Sequence, residues 1–208
     1  MITTDDKVTR LLRYRSAVRR MKAMGLSRVY SDNIADATGV SALQVRKDFC
    51  EEGVRGVRRG GYLVDSVLAR LEEVLGKDTT CVFVLVGVGS LGTALLKYDA
   101  FAHYGIKIVA AFDVDPAKLD ARAPIPVLPV KDLTNYCRTH HIRYAIITVP
   151  EGAAIEVYEA LVAGGVKGIL NFAPVRLRSA GGVIVNNVNL VYEIEQLVYF
   201  VKHARSKR

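Results

Sequence analysis

The chain has 208 residues, half of them hydrophobic, and a formal net charge of +8. That length holds one large domain or two small ones with real cores, and no apolar run reaches the length of a membrane span. Cys50, Cys81 and Cys137 stand far apart and the histidines lack ligand spacing, so neither a metal site nor a disulfide framework is expected. With no signal-peptide pattern at the N-terminus, a cytoplasmic protein with no membrane partner is expected.

The charge is uneven along the chain. Lys7, Arg10, Arg13, Arg15, Arg19, Arg20, Lys22 and Arg28 fall in one stretch without an acid, which points to nucleic acid as a partner. Thr4 is placed to cap a first helix carrying Leu11, Tyr14, Val18 and Met21 at helical spacing, stopped near Gly25. A second helix starts at Ser31 and ends at Gly39, and Ser41 caps a third. Helix, glycine turn and capped helix make a helix-turn-helix, with Ala35, Gly39 and Val45 at its tight internal packing. In the third helix Val45 and Phe49 share the core face. Gln44, Arg46 and Lys47 then face outward, where glutamine suits adenine, arginine suits guanine and lysine suits phosphate. Residues 53–62 alternate glycine, valine and arginine, which fits a two-stranded wing with Arg58 and Arg59 at its tip. Residues 63–75 form an amphipathic helix, and Gly76-Lys77-Asp78 closes this domain.

The next segment carries the strongest signal. Val82 to Val86 form an apolar, β-branched run suited to a buried strand, followed by Gly87-Val88-Gly89-Ser90-Leu91-Gly92. In that pattern the first glycine permits a tight turn and the second lets the backbone approach a pyrophosphate. The third lets the following helix pack closely, with its free N–H groups toward the phosphates. A second apolar run ends at Asp113, 21 residues after Gly92. A carboxylate there accepts ribose hydroxyls and repels a 2′-phosphate, favouring NAD(H), as NADH or NAD+, over NADP(H). Further strands are expected near 126–128, 144–149, 167–171 and 183–185, with helices at 89–97, 116–119, 130–140 and 152–163. Alternation of strands and helices predicts an α/β fold with a Rossmann-like, mostly parallel sheet. Thr148, Val149 and Pro150 end a strand and should line the crevice near the nicotinamide. The last helix, from Asn189 to about His203, carries an apolar stripe of Leu190, Ile194, Leu197, Val198 and Val201. Tyr199 and Phe200 widen it. It must bury itself on its own sheet or in a partner subunit. Three segments result: 1–78 for DNA, 79–188 for the dinucleotide and 189–208 for dimerisation.

Gln44-Val-Arg-Lys-Asp-Phe49, Arg58 with Gly61-Tyr62, the glycine loop 87–92, Ala110-Ala-Phe-Asp-Val-Asp-Pro116 and Gly168-Ile-Leu-Asn-Phe-Ala-Pro-Val175 stand in one order. This set closely resembles the Rex redox-sensing transcriptional repressors of bacteria over nearly the whole chain. The resemblance implies a winged helix joined to a Rossmann domain, and homodimers whose C-terminal helices swap between subunits. It also implies inverted-repeat operators bound when NADH is low and released by NADH, with no enzymatic activity. Carried onto this chain, it places Gln44, Arg46 and Lys47 in the recognition helix with Ser41 at its cap, and Arg58 in the wing. Tyr98 falls at the tyrosine that lies close to the nicotinamide and the swapped helix. The sequence departs from the family at two points: an arginine in the first helix is here Ser16, and an aspartate at the start of the last helix is here Asn189. Both charges of a switch pair are absent together; Arg13 and Arg15 are the neighbouring candidates to replace the first.

Three rival functions stand beside this one. An NAD-dependent oxidoreductase needs an acid/base group beside the nicotinamide, and no histidine stands near 148–150. A thiol-based sensor would use Cys50 beside the recognition helix. A structural nucleoid protein would bind DNA with strong salt dependence and little sequence preference.

Overall fold

A computed structural model describes residues 6–76 and 80–204. The described residues divide into two compact units, 6–76 with Thr80 and 81–204.

In the first unit, α1 (Asp6–Ala23) is followed by β1 (Arg28–Val29), α2 (Ser31–Thr38), α3 (Ala42–Glu51), β2 (Tyr62–Leu63) and α4 (Val64–Val74). Leu11, Tyr14 and Val18 of α1 recur every three or four residues, and all three are buried with Ile34, Val45, Phe49, Val67 and Leu71. Phe49 sits at the centre, edge-on to Tyr14 at 5.7 Å and to Tyr62 at 5.0 Å between ring centroids. Gly39 ends α2 in the left-handed region at φ +69° and donates its N–H to Ala35, a conformation that costs glycine least. The expected Thr4 cap and the Lys77-Asp78 boundary lie outside the described residues.

The wing differs from its sequence reading. Its arms meet at a single bridge, Val57 to Gly61, and the ladder proper joins β2 to β1, with Arg28 opposite Leu63 and Val29 opposite Tyr62. The glycines serve close packing rather than strand alternation. A Cβ on Gly61 would stand 2.5 Å from the Val29 carbonyl oxygen, and one on Gly56 2.7 Å from the Tyr62 ring.

The second unit contains β3 (Cys81–Val86), α5 (Ser90–Leu96), α6 (Ala100–His103), β4 (Ile106–Asp113) and β5 (Val127–Pro129). These are followed by α7 (Leu133–Thr139), β6 (Tyr144–Ile147), α8 (Ala154–Ala163), β7 (Gly168–Asn171), β8 (Ile184–Asn187) and α9 (Leu190–Ala204). The six strands form one sheet in the order β5-β4-β3-β6-β7-β8, and every pairing is parallel. Side chains alternate between its faces with period two. Val84, Val86, Phe112 and Ile147 pack on Leu133, Cys137, Val157 and Leu161 of α7 and α8. Leu85, Ala111 and Ile146 pack on the other face with Leu95, Leu96 and Phe101 of α5 and α6. The strand order reverses at β3, between β4 and β6. Ligands of open parallel sheets lie outside the carboxyl ends of strands at such a point. The short helix α6 was not expected from the sequence.

Phe49→Ala removes a fully buried ring. We expect it to cost the first unit about 3–5 kcal/mol, read as a lowered denaturant midpoint.

Candidate functional site

The turn leaving β3 is held by contacts that admit no Cβ. Gly87 adopts φ +100°, and a Cβ there would stand 2.8 Å from the Thr148 carbonyl at the end of β6. The Thr148 hydroxyl, 2.6 Å from the Gly87 carbonyl oxygen, donates to it. Gly92, buried one turn into α5, lies so close that a Cβ would collide with that same carbonyl. Gly89 is the opposite case: nothing lies within 4 Å of its Cβ position. Two glycines thus close the turn and the middle one is left facing open space. Ser90 and Leu91 form the first residues of α5 beside it.

Asp113 ends β4 and is 7% exposed. Its carboxylate accepts N–H donors from Val88 at 2.7 Å and Asp115 at 2.9 Å, and the Lys118 ammonium lies 3.3 Å away. Burial alone would raise its pKa, but the hydrogen bonds from Asp115 and Val88, with Lys118, outweigh it and hold the group below the ordinary carboxylate value. A cleft of about 460 Å³ brings together Gly87, Gly89, Asp113, Thr148, Val149 and Pro150, with Lys118, Val130 and Val157 completing its walls. Lys118 was missed from sequence. Its signal is the Asp115-Pro116 turn, in which Asp115 accepts the Ala117 N–H at 3.0 Å and returns the chain toward Asp113. The lysine offsets part of the negative charge that the sequence alone assigns to this point.

Tyr98 is not among the residues lining this cleft. It is 57% exposed and packs edge-on to Phe101 at 5.0 Å, in a separate groove with Leu95, Ile106 and Pro124. The helix expected at 89–97 spans Ser90–Leu96, and Tyr98 follows it with its N–H donated to the Leu95 carbonyl at 3.2 Å.

In the first unit, the Ser41 hydroxyl caps α3 by accepting the Gln44 N–H. Val45, Asp48 and Phe49 turn inward, which leaves Leu43, Arg46, Lys47 and Cys50 outward. Gln44 does not stand free as expected: its side-chain amide donates to Asp48 at 2.7 Å. Asp48, 1% exposed, also takes two bonds from Arg10 at 2.7 and 2.9 Å and the Tyr14 hydroxyl at 2.9 Å. Burial pushes its pKa up, but Arg10, Gln44 and Tyr14 together pull it below the ordinary value. Sequence reasoning missed this carboxylate; an acid on the core face of α3, four residues from Gln44 and beside Phe49, was its signal. Arg46 donates to the Ser31 hydroxyl at 2.9 Å. With Arg58 and Arg59 of the wing it surrounds a shallow cleft at the start of α2, and Arg28 anchors the wing through the Gly60 carbonyl at 2.7 Å.

At the two positions that depart from the family pattern, the Ser16 hydroxyl accepts from Arg20 at 3.0 Å, and Asn189 caps α9 by accepting the Val191 and Tyr192 N–H groups. Arg13 is exposed and Arg15 buried. Every residue of α9 from Leu190 to His203 is exposed. No described helix is long and apolar enough to cross a membrane, and the described residues form no metal-ligating group.

A family model described as "CoA binding domain" matches residues 77–175, and one described as "Putative DNA-binding protein N-terminus" matches residues 6–50. The chain is 37% identical over 196 residues to the redox-sensing transcriptional repressor Rex of Desulforamulus reducens, covering 94% of this chain and 93% of the relative. It is 37% identical to that of Bacillus velezensis, covering 93% and 90%. Among solved structures, RSP, a Rex-family repressor, in complex with β-NAD+ and operator DNA matches with TM-score 0.90 and 27% identity, covering 99% of this chain and 95% of RSP. RSP in complex with β-NADH matches with TM-score 0.83 and 27% identity, covering 99% and 97%.

The depressed Asp48 sets a pH dependence. Its contribution to stability is full above the ordinary carboxyl value of 3.8 and is lost as pH falls through the lower folded value. Urea midpoints of the first unit's unfolding transition should therefore drop at pH 3 relative to pH 7. Asp48→Asn should weaken that drop while lowering the midpoint at pH 7.

Proposed function

Because the chain belongs to the Rex family of redox-sensing transcriptional repressors, we propose that it holds an inverted-repeat DNA operator as a homodimer. NADH bound in the glycine-lined cleft releases it. One observation carries the reading: a single chain holds both a capped, outward-basic recognition helix and a cleft that unites Gly87, Gly89 and Asp113 with Thr148, Val149 and Pro150. The solved complexes of RSP with β-NADH, and with β-NAD+ and operator DNA, support it.

Residues 1–78 serve as the winged-helix module, 79–188 as the NAD(H) module and 189–208 as the dimerisation helix. Arg46, Lys47, Arg58 and Arg59 engage the duplex, with Ser41 and Gln44 holding α3 in shape. Gly89, with Val88, Ser90 and Leu91, receives the pyrophosphate. Asp113 has about four lone-pair sites, enough to add a ribose hydroxyl to the donors it already holds. Tyr98, in the groove beside α5, is assigned to contact with the last helix of a second subunit. The apolar stripe of α9, uncovered along its length, is assigned to that second subunit, and we infer that the helices swap. A protein that works on chromosomal operators acts in the bacterial cytoplasm.

The two cofactor forms differ by a hydride and one positive charge on the nicotinamide. Walls such as Val149, Pro150 and Val157 disfavour the charged ring. A ligand shifts a conformational equilibrium only by its differential affinity for the two states, so a hundredfold release requires a hundredfold tighter grip on the released form, about 2.7 kcal/mol. Rotation of the two recognition helices out of register with successive major grooves is enough for release, because half-site spacing is strict.

Titrating NADH into the complex of the protein with a fluorescent operator duplex should lower anisotropy, and the same concentration of NAD+ should leave most of the complex intact. Binding of NADH without release would refute the switch.

Gly89→Ala should keep the thermal midpoint, since its Cβ position is open, yet weaken NADH binding by at least about tenfold by blocking the pyrophosphate. Gly92→Ala should instead lower the midpoint. Calorimetry and NADH fluorescence separate the two.

A further inference from the structure

We propose that Leu43 is a base-reading residue that recognises the methyl group of a thymine in the operator half-site. The inference rests on the repressor reading above and adds to it a specificity determinant. Leu43 is the second residue of α3 and is 72% exposed, the most exposed leucine among the described residues. The N-terminal residues of a recognition helix lie nearest the base edges. Its outward neighbours are Arg46 and Lys47, and Arg58 and Arg59 stand across the cleft that Arg46 lines. Four cations beside an apolar tip suit a polyanion with an apolar group in its groove, and the thymine C5-methyl is the apolar group of the major groove.

The polar residues around it point the same way. Pairing with adenine takes both an amide nitrogen and an amide oxygen, and the Gln44 nitrogen is drawn to the buried Asp48. The Arg46 guanidinium is tethered at Ser31. An A·T pair facing this turn is then read from its thymine side, by an apolar contact that asks nothing of Gln44. Leu43 makes no use of the core, so its replacement leaves the fold alone.

The test uses the full chain. A preferred duplex is selected from a random pool, and each thymine is replaced in turn by deoxyuridine, which lacks only the methyl. One thymine per half-site should weaken wild-type binding by about fourfold when replaced, the weight of one buried methyl-sized group. Leu43→Ala should lose a comparable factor on the thymine duplex and be indifferent to deoxyuridine at that position, with its thermal midpoint and NADH affinity unchanged. A flat scan, or a deoxyuridine penalty that persists in Leu43→Ala, would overturn the assignment and leave the repressor reading standing. If no preferred duplex emerges, both fall.

Discussion

The turn between β3 and α5 works only because three backbone segments approach one another with no Cβ between them. Gly87 presses on the end of β6, Gly92 presses on Gly87, and Thr148 ties the Gly87 carbonyl by its hydroxyl. Asp113 adds a fourth constraint by accepting the Val88 N–H, which fastens the same turn to the end of β4. Strands β4, β3 and β6 are therefore locked together where the sheet order reverses, and the opening above Gly89 is shaped before any ligand enters. A loop already in its binding conformation need not be ordered at the moment of binding, and that saving appears as affinity.

Asp48 performs the equivalent service in the other unit. A buried carboxylate is costly unless paired and hydrogen-bonded, and this one receives donors from Arg10, Tyr14 and Gln44. Charge-assisted bonds of that kind are short and directional, so the axis of α3 is set relative to α1, and Phe49 is seated against Tyr14 and Tyr62. Breaking one partner away would leave a charge in the core. The recognition helix is consequently a fixed part of its module. The release proposed above then moves the module as a body, the kind of motion that strict half-site spacing converts into release.

The elements legible in the sequence were those whose burial follows a regular period. The runs at 81–86 and 106–113, the stripe of Leu11, Tyr14 and Val18, and the glycine loop all carry their reason locally. What could not be read depends on partners distant in the chain. The β1 and β2 strands have two residues each, too few for any period, and exist because Val29 lies opposite Tyr62. Gln44 looked outward because the acceptor that captures it is itself held by Arg10, 38 positions away. Tyr98 was placed through the family resemblance, and its position follows from the turn after α5, where it packs on Phe101. The stripe on α9 was legible, and among the described residues the helix lies exposed.

Asn189 and Ser16 bear on how such a switch is powered. An asparagine caps a helix about as well as an aspartate, and Asn189 does so here through its side-chain oxygen. The cap is preserved while the charge is gone. Ser16 is itself uncharged and accepts a hydrogen bond from Arg20 on its own helix. In the proposed switch, the preference between cofactor states is assigned to apolar contact, for which the exposed stripe of α9 offers Leu197, Val198, Tyr199 and Phe200. Apolar contacts are not screened by salt as exposed ion pairs are. The proposed coupling between NADH and DNA should therefore hold nearly constant with ionic strength, while DNA affinity itself, assigned to Arg46, Lys47, Arg58 and Arg59, falls steeply.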